Sequence, residues 1–269
     1  MYDCHLHTHH SFDGRNTMEN ICKVSLEHGM QGICFTNHLD LNAVNRENPS
    51  EPIDHYPDAT QAADFAAAKE IYGDRLEMCL GAEVGLQRGQ GERSKAAISK
   101  LQPDFIIGSI HYIDNKDIFS GGWSEGKDKF QTYMSYLERM LEIVKTHDYF
   151  HVLGHLDMIL RDKNITDKSM DSVEYHLIID DILKTLIANG KGIEVNASGW
   201  RYHLGGPHPQ PFIIKRYKQL GGTIITTGSD SHFDDSINSG IERATTLLRE
   251  IGFNEVSFFV GGKEQRRQI

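Results

Sequence analysis

Sulfur is scarce in this sequence and never arranged for metal or redox work. The four cysteines, Cys4, Cys22, Cys34 and Cys79, form no C-x-x-C pair. Cys4, Cys34 and Cys79 fall inside apolar, strand-like runs, where a free thiol acts as a small hydrophobe. The expectation is a reduced, cytoplasmic protein. No uninterrupted apolar run approaches the roughly 20 residues of a membrane helix. Charged and histidine residues follow the first methionine directly, so no signal peptide is expected. Positive charge is also in short supply, with Lys+Arg 28 against Asp+Glu 38 and a formal net charge of −10. Such a chain has no global attraction for nucleic acid or for an anionic membrane. There is no dinucleotide-type glycine fingerprint, internal repeat, low-complexity segment or linker.

What remains is an ordinary globular composition, 39% hydrophobic and 25% charged over 269 residues. That length buries a substantial core, and residues 1–269 are expected to form one α/β domain. The run Tyr2 to Leu6 reads as a strand. Asn16 or Thr17 can cap a helix through Glu27, stopped at His28-Gly29. Gly32 to Thr36 is a short apolar run of the buried parallel type. Residues 39–58 carry Pro49, Pro52 and Pro57 without periodicity and read as a long functional loop. Helix is expected from Ala59 to Tyr72, strand from Leu76 to Leu80, helix from Glu92 to Leu101 and strand from Phe105 to Ile110. A glycine-rich loop, 112–126, precedes a long helix from about Lys127 to Thr146. Then come a strand at His151–Gly154, a helix at Val173–Asn189 and a strand at Gly192–Asn196. A helix from Pro209 or Pro211, a strand at Thr223–Thr227, a helix at Gly240–Ile251 and an extended piece at Ser257–Val260 complete the chain. Strand and helix alternate about seven times, which implies a parallel sheet with covering helices. The regular spacing favours a closed barrel, whose active site lies at the C-terminal ends of the strands.

Histidine is the unusual residue, at 15. His5 and His7 share one side of an extended chain, since residues i and i+2 of a strand point the same way. Asp13 follows in the next loop. His38, Glu83, His111 and His155 end successive strands, and Asp230 and His232 end the last one. These are imidazole and carboxylate donors without a thiolate, which suits zinc, manganese or iron. Nine donors are too many for one ion. Two or three divalent ions are implied, with Glu83 as the natural bridge. A single histidine at a strand end is more often an ordinary polar residue. His9, His10, His28, His55, His147, His151, His176, His203 and His208 are assigned to that class, with His55, His203 and His208 in loops over the site.

The segments His5-Leu6-His7-Thr8 with Asp13, Thr36-Asn37-His38, Gly81-Ala82-Glu83, His111, His155 and Ser229-Asp230-Ser231-His232 resemble the motifs of the PHP (polymerase and histidinol phosphatase) superfamily. The resemblance runs through nearly the whole chain, in order. It implies a distorted TIM-like (β/α)7 barrel with a trinuclear centre. By carry-over, one ion would take His5, His7, Glu83 and Asp230. A second would take Glu83, His111 and His155, and a third Asp13, His38 and His232. One departure is Asn37, where the family usually has aspartate; it can hydrogen-bond but brings no charge.

Within the superfamily, His155 to Arg161 and Asn196 to Arg201 look like segments of the histidinol-phosphate phosphatase branch. Each places an arginine just past a strand end. Two guanidinium groups over a metal cluster suit a phosphate monoester, because arginine binds phosphate oxygens in bidentate fashion. The bland alternative pairs them with acids such as Asp157 or Asp162. The resemblance thus implies hydrolysis of L-histidinol phosphate by a metal-activated hydroxide, with Arg161 and Arg201 on the phosphate and Asp230 or His232 helping to move a proton. Asp114, Asp117 and Glu125 are candidates for the substrate ammonium. The alternatives are another small phosphomonoester, a phosphotyrosine protein, or a non-catalytic metal-binding barrel. The expected partner is a small phosphomonoester rather than nucleic acid or membrane; a homo-oligomer is left open.

Overall fold

The computed structural model describes residues 1–45, 47, 48 and 50–269. Its strands begin with β1 (Tyr2–Leu6), β2 (Gly32–Phe35), β3 (His38–Ala43), β4 (Ile53–His55) and β5 (Glu77–Gly85). There follow β6 (Phe105–Ser109), β7 (Tyr112–Ile113), β8 (Lys116–Asp117) and β9 (Val152–Leu153). The last are β10 (Gly192–Asn196), β11 (Ile225–Gly228), β12 (Glu255–Val260) and β13 (Lys263–Gln268). The helices are α1 (Met18–Glu27), α2 (Gln61–Tyr72), α3 (Gly91–Leu101), α4 (Lys129–Thr146), α5 (Val173–Ala188), α6 (Ser198–Arg201), α7 (Pro211–Gln219) and α8 (Ile241–Ile251).

Seven parallel strands run in the order β1-β2-β5-β6-β9-β10-β11. The two ends of that order meet. The Asp230 amide donates to the His5 carbonyl at 2.9 Å and the His7 amide to the Ser231 carbonyl at 2.9 Å, with Leu6 bridged in parallel to Ser231. The TIM-like seven-stranded barrel read from the sequence is therefore present, nearly closed.

The helices form where the sequence supplies caps and an apolar stripe. Thr17 caps α1 by accepting from the Asn20 amide, and Met18, Ile21, Cys22 and Ser25 turn one face inward. Asp128 and Gln131 make a reciprocal capping box at the start of α4. These helices cover the outside of the sheet. A large apolar core runs through most of the barrel, and a smaller one lies between β1, β2, α1 and α2.

The segment 39–58 differs from the expected featureless loop. β3 runs parallel to the second half of β5, pairing His38 with Glu83, and β4 folds back antiparallel on β3. Its sequence His38-Leu39-Asp40-Leu41 alternates strictly, with Leu39 and Leu41 both buried. Pro49, counted with that loop, lies outside the described residues. The register of β2 on β5 (Gly32 to Glu77) continues unbroken into β3 (His38 to Glu83), so β2 and β3 are one strand interrupted at Thr36-Asn37. Glu83 accordingly sits inside a long strand rather than past the end of a short one.

A second difference is the C-terminal hairpin of β12 and β13, of which only the first strand was expected. It closes the end of the barrel where β1, β6 and β11 begin. Phe258 packs on Tyr2 with ring centroids 5.6 Å apart, Phe259 stacks on Phe105 at 4.9 Å, and the Ile225 amide donates to Ser257 Oγ at 3.2 Å. The opposite end, with the C-terminal ends of the strands, is open.

One glycine is set by close approach. A Cβ on Gly228 of β11 would collide with His5 Cβ and Glu194 Oε1. Gly228→Ala is predicted to destabilise the protein by about 1–3 kcal/mol through overpacking. An unchanged urea midpoint would contradict this placement of β11 against β1.

Candidate metal centre

All nine side chains singled out from the sequence gather at the open end of the barrel. Glu83 lies at their centre. Its Oε1 is 2.8 Å from His155 Nε2 and 3.2 Å from His111 Nε2. Its Oε2 is 3.0 Å from His38 Nδ1, 3.3 Å from His5 Nε2 and 3.5 Å from His7 Nε2. Asp230 Oδ1 lies 3.5 Å from His7 Nε2 and 3.7 Å from His5 Nε2. On the outer side, Asp13 Oδ2 is 3.6 Å from His38 Nε2 and 3.5 Å from His232 Nε2, and those two nitrogens are 3.4 Å apart. His155 and Asp230 are held at positive φ, 23° and 54°. His and Asp are among the residues that tolerate that conformation best, and it turns both side chains inward at the strand ends.

Hydrogen bonds behind the imidazoles decide which nitrogens face the cluster. Glu194 Oε1 takes His5 Nδ1 at 2.5 Å. Asp40 Oδ1 takes His111 Nδ1 at 3.0 Å. Ser11 Oγ lies 3.2 Å from His7 Nδ1 while its own hydroxyl donates to Asn37 Oδ1 at 3.1 Å. A carboxylate, or a hydroxyl whose proton is committed, can only accept, so these three Nδ1 atoms carry the proton. In the neutral rings the Nε2 atoms are then bare. Two of them, on His5 and His7, face each other at 3.0 Å. His38 Nδ1 is close to Glu83 yet off the line a hydrogen bond requires. Lone pairs aimed at one another and at carboxylates call for a cation between them. The carboxylate–histidine arrangement is the one that orients metal ligands elsewhere.

The donor atoms of His5, His7 and Glu83, of His38, Glu83 and His111, and of His7, His38 and His232 each fall within 4.8 Å of one another. Donors on a tetrahedral ion with bonds of about 2.1 Å would stand about 3.4 Å apart, which the pairs above approach. The residues present therefore fit divalent ions.

Without a metal, protons supply the charge. Burial favours neutral His5, His38 and His111, but the carboxylates around them win. His5 and His38 are pushed well above the usual imidazole range, and His111 up to about 10. Burial likewise opposes ionisation of Glu83, yet His5, His111 and His38 hold its carboxyl well below the usual range.

Two residues of the centre escaped the sequence reading. Asp40 was placed in a loop, and its alternation with Leu39 and Leu41 was the available signal. Glu194 looks like any polar residue of a buried strand; its carboxylate also accepts the His155 amide at 3.0 Å and Asn196 Nδ2 at 3.2 Å. Asn37 does not face the His38 ring. It accepts from Thr8 and Ser11 and donates to Gln61, so it braces the loop after β1.

A cleft of about 740 Å³ opens over the cluster, lined by Arg161, Arg201, Phe12, His55, Asp117 and Tyr202 among others. Arg161 stacks on Tyr202 at 3.5 Å and on Phe119 at 4.9 Å from the ring centroids. Asp157 and Asp162, its suspected partners, are engaged by His208 and Ser124. Arg201 donates to the carbonyls of Ser229 (3.1 Å) and Asp230 (2.8 Å), locking the loop that carries Asp230. Asp114 turns away to Arg139 at 3.0 Å, and Glu125 lies outside the cleft lining. His55 stacks on Phe12 at the mouth, whereas His203 and His208 do not line it.

The match to known families is decisive on one point. The PHP domain profile covers residues 3–198, most of the chain. The chain belongs to the PHP domain family. Among PHP relatives, a histidinol-phosphatase of Lactococcus lactis is 28% identical over 97% of this chain and 95% of its own length. A probable histidinol-phosphatase of Clostridium acetobutylicum is 28% identical over 96% of each chain. A solved structure of the L. lactis histidinol phosphate phosphatase, in complex with zinc, L-histidinol and phosphate, superposes with a TM-score of 0.86. It is 26% identical and covers 98% of both chains.

A divalent ion entering this PHP cluster displaces imidazole protons, because a ligand nitrogen must be bare. Since the carboxylates push His5, His38 and His111 above the usual imidazole range, protons sit on those rings at neutral pH in the metal-free protein. Loading is thus predicted to release protons and to weaken as pH falls. Calorimetry in buffers of different ionisation enthalpy reads this directly; a binding heat independent of buffer would contradict it.

Proposed function

We propose that this PHP protein is a metal-dependent phosphatase that hydrolyses L-histidinol phosphate to L-histidinol and phosphate. The observation that carries the reading is that two arginines line the same cleft as seven of the nine imidazole and carboxylate side chains of the cluster, Asp13, His38, Glu83, His111, His155, Asp230 and His232. The choice of substrate rests on the relatives, which share the whole length of the chain and are named for that activity.

His5, His7, Glu83 and Asp230 would hold one ion, Glu83, His111 and His155 a second, and Asp13, His38 and His232 a third. Zinc, manganese and iron all suit these donors. Bound there, the ions supply an acidified water and charge neutralisation at the phosphoryl oxygens. Arg161 and Arg201 bind and orient the phosphate. Arg161 does so from an aromatic cradle of Phe119 and Tyr202, which fixes its plane without spending its N–H donors on a carboxylate. Arg201 is held by two carbonyls and has N–H groups left of its five. Asp230 and His232, both on the cleft wall, would relay to the leaving alkoxide the proton given up by the attacking water. Asp117, which borders the cleft and keeps one carboxylate oxygen clear of the Phe119 and Ser120 amides, would meet the substrate ammonium.

Steady-state kinetics of the metal-loaded protein test the reading. Specificity for histidinol phosphate over p-nitrophenyl phosphate should be at least about 100-fold in kcat/KM, since polar groups that recognise the leaving group discriminate strongly. Turnover no better than with the aryl ester would overturn the substrate assignment. Arg161→Ala should lower kcat/KM about 10- to 100-fold, the worth of a hydrogen bond to a charged group, with metal content unchanged. An unaltered kcat/KM would remove Arg161 from the phosphate site.

A further inference from the structure

Just beyond the cluster, His9 and His10 meet Asp64 of α2. His10 Nε2 lies 3.0 Å and His9 Nε2 3.6 Å from the same oxygen, Asp64 Oδ2. All three donor atoms fall within 4.8 Å of one another, and the two rings stand 4.1 Å apart between centroids. The His10 side chain is fully buried, while His9 and Asp64 are 43% and 48% exposed, so the group is anchored on one side and open to solvent on the other.

The proton positions say what the group lacks. His9 Nδ1 lies 3.3 Å from the Asn16 carbonyl. A carbonyl only accepts, so that nitrogen carries the proton and the Nε2 of neutral His9 presents a lone pair to the Asp64 carboxylate. Two acceptors are left facing each other at 3.6 Å. A backbone carbonyl on the far nitrogen is the usual arrangement behind a metal-bound imidazole. The separations of 3.0 and 3.6 Å bracket the roughly 3.4 Å expected between donors on a tetrahedral ion.

We propose that His9 Nε2, His10 Nε2 and Asp64 Oδ2 form an accessory site for a divalent ion of the zinc class, separate from the centre around Glu83. Two imidazoles and one carboxylate without thiolate, with a fourth position open to water, match that ion's preferences. The ion takes the place of the proton that His10 Nε2 shares with Asp64. His10 Nδ1, buried and without a hydrogen-bond partner among the described residues, is the atom left to carry it. The consequence is mechanical. Asp64 belongs to the first turn of α2, and Gln61 of the same turn already holds Asn37, which braces the loop after β1. An ion here would tie that loop, and with it Asp13, to α2 a second time.

The test is zinc content after equilibrium dialysis of the full chain against a fixed micromolar concentration of free zinc. Wild type should retain one more zinc per chain than either Asp64→Asn or His9→Gln, two substitutions at half-exposed positions. The wild-type melting temperature should also rise with zinc beyond the level at which the variants stop responding. Equal zinc content in wild type and both variants would overturn the proposal. The readout is a difference in ion number, so it stands apart from the assignment of substrate.

Discussion

The structure turns on one buried charge. Glu83 is almost completely buried, and its carboxylate touches His5, His7, His38, His111 and His155 from four different segments of the chain. An ionised carboxylate in that position is tolerable only with positive charge packed against it. His5 and His7 are placed by β1 and the turn after it, and His38, His111 and His155 each by a further strand or the turn that follows it. Closing the barrel and satisfying Glu83 are therefore the same event. The unbroken register from β2 through β3 onto β5 is what brings His38 opposite Glu83.

Around this charge lies a layer of acceptors that fix the rings: Glu194 behind His5, Asp40 behind His111, Ser11 and Asn37 behind His7. Asn37 shows how the layer tolerates a change of charge. With aspartate expected beside His38, the loss of a carboxylate looked like a local deficit. In the fold the side chain at 37 serves the loop carrying Ser11, and Asp40 supplies the carboxylate near His38 at 3.3 Å. The cleft side is built differently. Arg161 rests on aromatic faces and Arg201 on backbone carbonyls, so among the described residues neither guanidinium is neutralised by an acid before an anion arrives.

The barrel and the central cluster were legible because both have local signatures. Short apolar runs ending in histidine or acid recur along the chain, and that pattern places nine side chains on one rim without knowledge of any contact. What escaped was non-local or masked. Asp40 was lost because three prolines at 49, 52 and 57 outweighed four residues of alternation. Glu194 acquires its role only when β11 brings β10 and β1 to either side of Gly228. β13, Lys263-Glu264-Gln265-Arg266-Arg267-Gln268, has no apolar face to read because it is held by backbone pairing with β12 and by polar contacts of Arg266 with Thr223 and of Arg267 with Glu77. His9 and His10 read as ordinary polar residues, since their partner Asp64 is more than fifty positions away.

The central claim is that the charge balancing Glu83 in the working protein is metallic. Anomalous diffraction from crystals of the metal-loaded protein, collected at the absorption edge of the loaded ion, tests it most directly. The account predicts peaks about 2.0–2.2 Å from each of the two Glu83 oxygens. Fully loaded crystals with no anomalous peak in contact with Glu83 would contradict it.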